Sequence, residues 1–382
     1  MKILHIINSL KKGGAEGNLY RLCEFQKKKY QNKIELTIIT LIKNGYYEKN
    51  LISQGIKIFS LGISKKTKII DLIKNIFNLR NIIKKENPDI IQSWMYHSNI
   101  LTIFAPKMFH NKIIWNIRHS ELNYKISKIT TILISRICGL VSNYIPRKII
   151  YCSETSMKFH EQNHSYKKNK SVLIYNGYSK KIYYPSNDLR DIFRKKNKLK
   201  KKDIVLGFAG RFAKQKNIEA LLIAFSKNIK EHNNLYLYLV GKDVSKNNKK
   251  LIEWVSRLKI KNKTFFLNEQ KNLLEFYNGI DLLLLPSHSE SFPNVIAEAM
   301  LCSTPVLSSN AGCANKIIDR YGFIMKKNDH FSISKNIDKC LEVLKNDKKR
   351  WKYLKKNSQI KIKRDFSIEK MAKKYFQTWT IK

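Results

Sequence analysis

Acidic residues are scarce: 29 Asp and Glu stand against 74 Lys and Arg in 382 residues, a formal charge of +45. Arginine is scarce as well, supplying twelve of those 74 bases, although bidentate recognition of phosphates and guanines favours it over lysine. Nor is the charge concentrated, since residues 1–180 carry 31 bases and 10 acids and residues 181–382 carry 43 and 19. A nucleic-acid-binding stripe or tail would gather it in one place. Nucleic acid is therefore not an expected partner. Two readings of the lysine surplus remain: a compositional bias that decorates the surface, or attraction to anionic lipid headgroups.

Other absences narrow the class further. The six cysteines form no CxxC pair and the closest two, Cys302 and Cys313, are eleven apart, so buried, reduced thiols in a cytosolic protein are expected rather than a disulfide frame or a zinc site. The opening MKILHIINSLKKGG has too short an apolar run for a signal peptide. The most apolar long window, residues 129–146, is interrupted by Arg136, Gly139 and Asn143, which argues against a membrane span. After the first apolar run the glycines are Gly13 and Gly14, followed by Ala15 and Asn18. The G-x-G-x-x-G frame of a dinucleotide-dependent oxidoreductase is not met. No short-period repeat occurs, and no DxD-type acidic pair ends a strand.

What is present is 43% hydrophobic residues in a chain long enough for two ordinary domains. Short β-rich runs (KILHII, IELTIITLI, PDIIQSW, KIIWNIRH, KIIYCS) alternate with longer amphipathic stretches such as KIIDLIKNIFNLRNIIKKEN. That alternation is the mark of βαβ units and a parallel sheet. The charged stretch SNDLRDIFRKKNKLKKKD, poor in core residues, reads as a boundary, after which IVLGFAGR, LYLYLVG, KTFFLN, DLLLLPS and TPVLSS form a second series. The expected fold class is α/β: two Rossmann-like lobes with parallel sheets facing across a cleft. In such sheets ligands collect beyond the carboxyl ends of the strands.

Two strand ends carry chemistry. In GFAGRFAKQKN a strand stops at Gly210, Arg211 and Lys216 flank a short turn, and a helix opens near Asn217. Glycine lets the backbone approach a ligand, a helix start favours anions, and two cations in that space suit a diphosphate. In SHSESFPNVIAEAM the carboxylates Glu290 and Glu298 stand eight positions apart around Phe292, Pro293 and Asn294. Pro293 suits a helix start and Asn294 a cap. Ionised carboxylates accept hydrogen bonds from vicinal hydroxyls, so the pair fits sugar or ribose diols. A helix start merely stabilised by acids is the plainer alternative.

Together these segments resemble the donor-binding lobe of family 4 glycosyltransferases of the GT-B fold. The family's EX7E motif is matched by Glu290 and Glu298, and its G-R-x(4)-K element by Gly210, Arg211 and Lys216. GGAEGNLYRL, PDIIQSWMYHSN, IIWNIRHS, VLIYNG and LVG extend the likeness along nearly the whole chain. The resemblance implies a retaining hexosyltransferase that uses a nucleotide-sugar, usually a UDP-sugar, without cofactor or metal. Arg211 and Lys216 would bind the diphosphate, Glu298 the ribose, and Glu290 with residues 292–294 the transferred sugar. Gly13 and Gly14 resemble the turn that brings the first lobe's backbone to the donor phosphates, and His119 resembles a histidine beside the donor sugar. His97 stays open between the acceptor site and packing. Asn217 and Asn268 stand where the family often has glycine, and Tyr178 where it usually has aspartate.

Residues 1–180 would be the acceptor lobe, 181–365 the donor lobe, and 366–382 a helix returning to the first lobe. The implied acceptor is a surface-polysaccharide or lipopolysaccharide glycan, on a polyprenyl diphosphate or a lipid A core. The implied location is cytoplasmic, peripheral on the inner face of the cytoplasmic membrane. Two lysine-bearing amphipathic stretches, 65–87 and 125–150, serve there as anionic-membrane contacts or else as ordinary lobe helices. Competing readings are an epimerase or phosphorylase of related fold, and a non-enzymatic basic membrane-surface protein.

Overall fold

The computed structural model describes residues 1–30, 33–63, 67–122 and 127–380. The chain begins β1 (Lys2–Ile7), α1 (Gly14–Tyr30), β2 (Glu35–Thr40), α2 (Glu48–Ile52), β3 (Lys57–Ser60), α3 (Ile69–Glu86), β4 (Ile90–Trp94) and α4 (Tyr96–Leu101). It continues with β5 (Ile113–Ile117), α5 (Ile129–Val141), β6 (Lys148–Tyr151), α6 (Glu154–Asn163) and β7 (Ser171–Leu173). A second series follows: α7 (Asn187–Lys196), β8 (Ile204–Ala209), α8 (Ile218–Glu231), β9 (Leu235–Val240), α9 (Lys249–Arg257), β10 (Thr264–Phe266) and α10 (Leu274–Gly279). Then come β11 (Leu282–Leu285), α11 (Asn294–Leu301), β12 (Val306–Ser309), α12 (Ala314–Ile318) and β13 (Phe323–Met325). Three helices close the chain: α13 (His330–Asn346), α14 (Lys348–Asp365) and α15 (Ile368–Thr380). The chain divides into two compact units, Met1–Gly177 with Ile368–Lys382, and Tyr178–Ser367.

The first unit is a seven-stranded sheet in the order β3-β2-β1-β4-β5-β6-β7, every pairing parallel. Its central strands IIQSW and IIWNI are buried at all five positions, as a parallel sheet covered on both faces requires. Ile3, Ile7 and Trp94 face a core shared with α1 and α2, whereas Leu4, Ile6 and Trp115 face one shared with α3, α4 and α5. Strand β3, four residues long, escapes the sequence pattern because it shows neither alternation nor a long apolar run.

Helix α15 belongs to this first unit. Ile368, Met371, Tyr375 and Trp379 enter the core beside Leu19, Leu22 and Trp94. The Trp379 indole donates to Gln92 Oε1 at 3.1 Å, and the Tyr375 hydroxyl accepts from Asn116 Nδ2 at 2.6 Å. Two buried histidines sit in the same unit. Trp94 Nε1 donates to His5 Nδ1, and the His160 ring bonds the Tyr96 hydroxyl and the Ser156 carbonyl. Burial holds both pKa values down to about 3, with ring hydrogen bonds to the backbone of Gln92 and Ser156 offsetting part of the effect.

The second unit is a six-stranded parallel sheet in the order β10-β9-β8-β11-β12-β13. The charged stretch read from sequence as a boundary is in fact integral to it, as helix α7. Phe193 is buried edge-on against Tyr238 and Phe276, and Arg190 pairs with Asp281 at 2.6 Å. One apolar side chain and two arginines anchor this helix, so composition alone hides it. All six cysteines are buried and free. Among the described residues no helix is long and apolar enough to cross a membrane.

Two outcomes follow from this packing. Trp379→Ala removes a buried aromatic and is expected to destabilise the first unit by about 3 kcal/mol, measured by equilibrium urea unfolding. Acid is expected to weaken the same unit through His5 and His160. Below pH 6.5 the unfolded chain binds protons that the folded imidazoles refuse, so stability is present above that pH and falls toward pH 3. The slope is up to about 1.4 kcal/mol per pH unit for each histidine, and His160→Asn should flatten the dependence of Tm on pH.

Candidate functional site

Where the strand order of a parallel sheet reverses, the adjoining loops part and leave a crevice beyond the strand ends. In the second unit the reversal lies between β8 and β11. The loop after β8 carries Arg211 and Lys216, and the loop after β11 carries Glu290. His288 N donates to the Gln215 carbonyl at 2.8 Å and fastens the two loops together.

Lys216 and Glu290, 74 positions apart, form an ion pair through Glu290 Oε1, which also accepts from Ser287 Oγ at 2.8 Å. Both side chains are about nine-tenths buried. The sequence assigned these groups to separate ligand moieties, yet here the ammonium and the carboxylate neutralise one another. An ammonium has three donors and a carboxylate about four acceptor positions, so each retains capacity for a ligand. Arg211 is exposed and has no ion-pair partner among the described residues. Lys216 lies along Gly210, where an added Cβ would stand 3.4 Å from Lys216 Cε.

Both asparagines that replace an expected glycine take the left-handed conformation, with φ 56° at Asn217 and 57° at Asn268. Asn217 Nδ2 also donates to the Asn328 carbonyl at 2.7 Å. Glycine is kept at Gly312, with φ +60°, where a Cβ would lie 2.0 Å from the Glu290 carbonyl oxygen. That close approach holds the 310–313 loop against the Glu290 loop, with Cys313 N donating to the Ser291 carbonyl.

Glu298 is the fifth residue of α11 and is buried. Tyr277 donates its hydroxyl to Glu298 Oε2 at 2.9 Å. Burial, then the negative charge of Glu298, pushes the Tyr277 pKa well up, so the phenol stays a donor. Phe292 is buried and stacks on Tyr178.

The expected cap is displaced by one residue. Pro293 occupies the N-cap without a side-chain bond, and Asn294 is the first helical residue. At ψ 88° Pro293 is not helical, so the helix starts after it, and Asn294 Oδ1 accepts from the Tyr178 hydroxyl. Tyr178, standing at the position of the family's aspartate, thus orders the 292–294 turn.

In the first unit the reversal falls between β1 and β4. Gly13 lies exposed in the turn after β1 and Gly14 exposed at the first position of α1, where Glu16 folds back over Gly13 and meets Ser9 Oγ at 3.4 Å. Burial raises the Glu16 pKa. His119 is exposed after β5, its ring stacked 5.2 Å from Tyr96 and its carbonyl accepting from Ser156 Oγ. His97 is exposed at the start of α4, its pKa lowered by desolvation.

Sequence reasoning missed Ser287, Tyr277 and Glu16. Ser287 was visible, three residues before Glu290. Tyr277 reaches Glu298 only through the fold, and Glu16 was masked by ordinary helix-start chemistry. A trio of Glu231, His232 and Asp338 lies within metal-ligating distance among the described residues, but Asn228 donates to Asp338 and Lys345 meets His232.

Two family models match the chain: "Glycosyltransferase Family 4" over residues 12–181 and "Glycosyl transferases group 1" over residues 190–359. Among curated relatives, the capsular polysaccharide biosynthesis glycosyltransferase CapM of Staphylococcus aureus is 23% identical over 78% of each chain. The N,N'-diacetylbacillosaminyl-diphospho-undecaprenol alpha-1,3-N-acetylgalactosaminyltransferase of Campylobacter jejuni is 23% identical over 90% of each. Among solved structures, Anabaena Alr3699/HepE in complex with UDP-glucose superposes with a TM-score of 0.82 at 20% identity over 99% of each chain.

The buried pair yields a test by double-mutant cycle. Lys216→Met strands the Glu290 charge and is expected to cost about 3 kcal/mol of second-unit stability. Adding Glu290→Gln should recover most of that loss in urea unfolding, whereas strictly additive effects would mean the two groups are uncoupled.

Proposed function

The chain belongs to the family 4 glycosyltransferases of the GT-B fold, and we propose that it moves a hexose or N-acetylhexosamine from a UDP-sugar, with retention, to a lipid-linked or surface-polysaccharide glycan. The observation that carries this reading is the juxtaposition at the β8–β11 reversal. Exposed Arg211 and the Lys216–Glu290 pair lie in the two loops at that reversal, and the buried Tyr277–Glu298 pair joins α10 and α11, the helices before and after β11.

In the proposed reaction the bond from the anomeric carbon to the diphosphate oxygen breaks. The new bond to an acceptor hydroxyl forms on the same face, and the hydroxyl proton leaves with the diphosphate. Negative charge grows on the leaving oxygens. Arg211, the remaining Lys216 donors and the N–H groups at the start of α11 are preorganised to meet it. Without such groups the charge would need solvent reorganisation at each turnover. The same cations serve the donor without a metal in this reading.

Glu298, held by Tyr277, accepts from the ribose hydroxyls, and Glu290, oriented by Lys216 and Ser287, accepts from the transferred sugar. The ordered turn Phe292–Pro293–Asn294 shapes the sugar's surroundings. Acceptor recognition is assigned to the first unit, in which His119, set in place by Tyr96 and Ser156, and Gly13 with Gly14 keep the roles the resemblance implies, beside the donor sugar and toward the donor phosphates. A polyprenyl-diphosphate or lipid A core fits the acceptor class, and such an acceptor places the enzyme at the inner face of the cytoplasmic membrane.

Arg211→Ala and Glu298→Ala are expected to lower transfer from a UDP-sugar about a hundredfold or more; thermal unfolding without ligand should be unchanged in Arg211→Ala, at an exposed side chain, and lowered in Glu298→Ala, which strands the buried Tyr277 hydroxyl. Wild-type protein should also be thermally stabilised by its own UDP-sugar in a panel of such donors. Full turnover in both variants would overturn the assignment. A product formed from UDP-sugar alone, with no acceptor present, would instead indicate an epimerase.

A further inference from the structure

Large apolar side chains left exposed are unevenly divided between two units of similar size and composition. Fifteen of the twenty among the described residues lie in the first unit, and twelve of these fall between Ile69 and Tyr144. A compositional bias would spread them over both.

Helix α5 is inverted relative to an ordinary surface helix. It buries Ser135, Cys138 and Gly139 together with Ile132. Its outward face presents Ile129, Leu133, Ile137 and Leu140, 71% to 38% exposed, and the line continues in the next turn with Tyr144. These positions recur every three or four residues, which places them on one face. The inner face is kept small and polar for close packing: Ser135 Oγ meets His164 Nδ1 at 2.7 Å, and Gly139 lies against the His164 carbonyl.

Helix α3 repeats the pattern. Only Leu79 and Ile83, in its second half, are buried. Ile69, Ile73 and Phe77, one helical turn apart in succession, remain 79%, 49% and 62% exposed. Because α3, α4 and α5 all pack on the same core cluster, the two stripes lie on the same side of the first unit's sheet.

Cations frame this face. Lys68 and Lys128 stand at the starts of the two helices, and Lys74, Lys107 and Arg136 are exposed beside the stripes. Across residues 90–153 the sequence has eight Lys and Arg and a single acid, Glu121. The stretches singled out from sequence include residues 65–66 and 125–126, which lie outside the described residues.

We propose that this α3–α5 face docks the first unit on an anionic lipid surface. Apolar stripes would enter the headgroup–acyl boundary, and the lysines would keep their stems apolar and their ammonium groups at the lipid phosphates. A second copy of the chain is a poorer occupant, since a self-complementary patch would set one cationic rim against its equal. The phosphate backbone of nucleic acid would leave the apolar stripes unused. The inference concerns the first unit's surface and stands or falls independently of the donor site.

The test is flotation of the full chain, without donor, on vesicles of phosphatidylcholine alone and of phosphatidylcholine mixed with phosphatidylglycerol. Wild-type protein should float with the mixed vesicles. Phe77→Ser/Leu133→Ser/Leu140→Ser should weaken this about tenfold or more at unchanged thermal stability, and Lys68→Gln/Lys128→Gln/Arg136→Gln should remove the preference for anionic lipid. Ile192→Ser/Phe331→Ser, exposed apolar positions of the second unit, should float as wild type does. Wild-type protein that floats with neither vesicle, or a serine variant that floats undiminished, overturns the proposal. So does sedimentation showing a wild-type dimer that the serine variant dissociates, with no lipid binding. Thermal stabilisation by UDP-sugars is read separately, so a failure here leaves the donor assignment untouched.

Discussion

Burial of a parallel sheet on both faces is the constraint from which the rest of this molecule follows. Strands such as IIQSW, IIWNI and LLLL have no solvated side, so the chain's ionisable chemistry is expelled to the strand ends. There a single reversal of strand order in each unit decides which loops become neighbours. Between β8 and β11 it joins Lys216 to Glu290 across 74 residues. Between β1 and β4 it brings the Gly13–Gly14 turn and the start of α4 to adjacent strand ends, tied by Ser98 Oγ donating to Asn8 Oδ1.

A chain so short of acids uses several of them where a carboxylate has definite work. Asp281 accepts from Arg190 and from the Val205 N–H, binding α7 to the sheet. Glu290, in the loop after β11, is held by Lys216, and Glu298, within α11, by Tyr277 of α10. Arginine, equally scarce, is spent in a similar way. Arg118 joins Asn176 and the Tyr375 hydroxyl, while Arg194 meets two carbonyls beneath α7. Lysine, by contrast, mostly covers solvent-facing positions. The inverted helix α5 breaks the general pattern, because Ile129, Leu133, Ile137 and Leu140 face outward while Ser135 and Gly139 pack inward.

Much of the architecture was legible. The alternation of β-rich and amphipathic segments marked most strands, and the EX7E and G-R-x(4)-K elements marked Arg211, Lys216 and Glu290, which lie in the two loops at the β8–β11 reversal. Left-handed backbone at Asn217 and Asn268 agrees with what asparagine tolerates in place of glycine. Short elements were not legible: β3 is too brief for periodicity to register, and α7 looked like a linker because it is anchored mainly through Phe193 and two arginines. The cap at α11 was misplaced by one residue, since a proline's fixed φ does not reveal that ψ of Pro293 is not helical.

By itself the sequence determined which segments could be buried strands, which residues could carry charge at their ends, and the family that this order of motifs denotes. Those properties are local, arising from side-chain type and short-range spacing. Only the tertiary structure decided that Lys216 and Glu290 neutralise one another, that Tyr277 supports Glu298, and that Tyr178 reaches Asn294. It also decided that the last helix completes the first unit's core and that the apolar stripes of α3 and α5 remain uncovered on one side. The pairings among these join segments separated along the chain, and side-chain partners at such separations are set by sheet order and packing rather than by any local pattern.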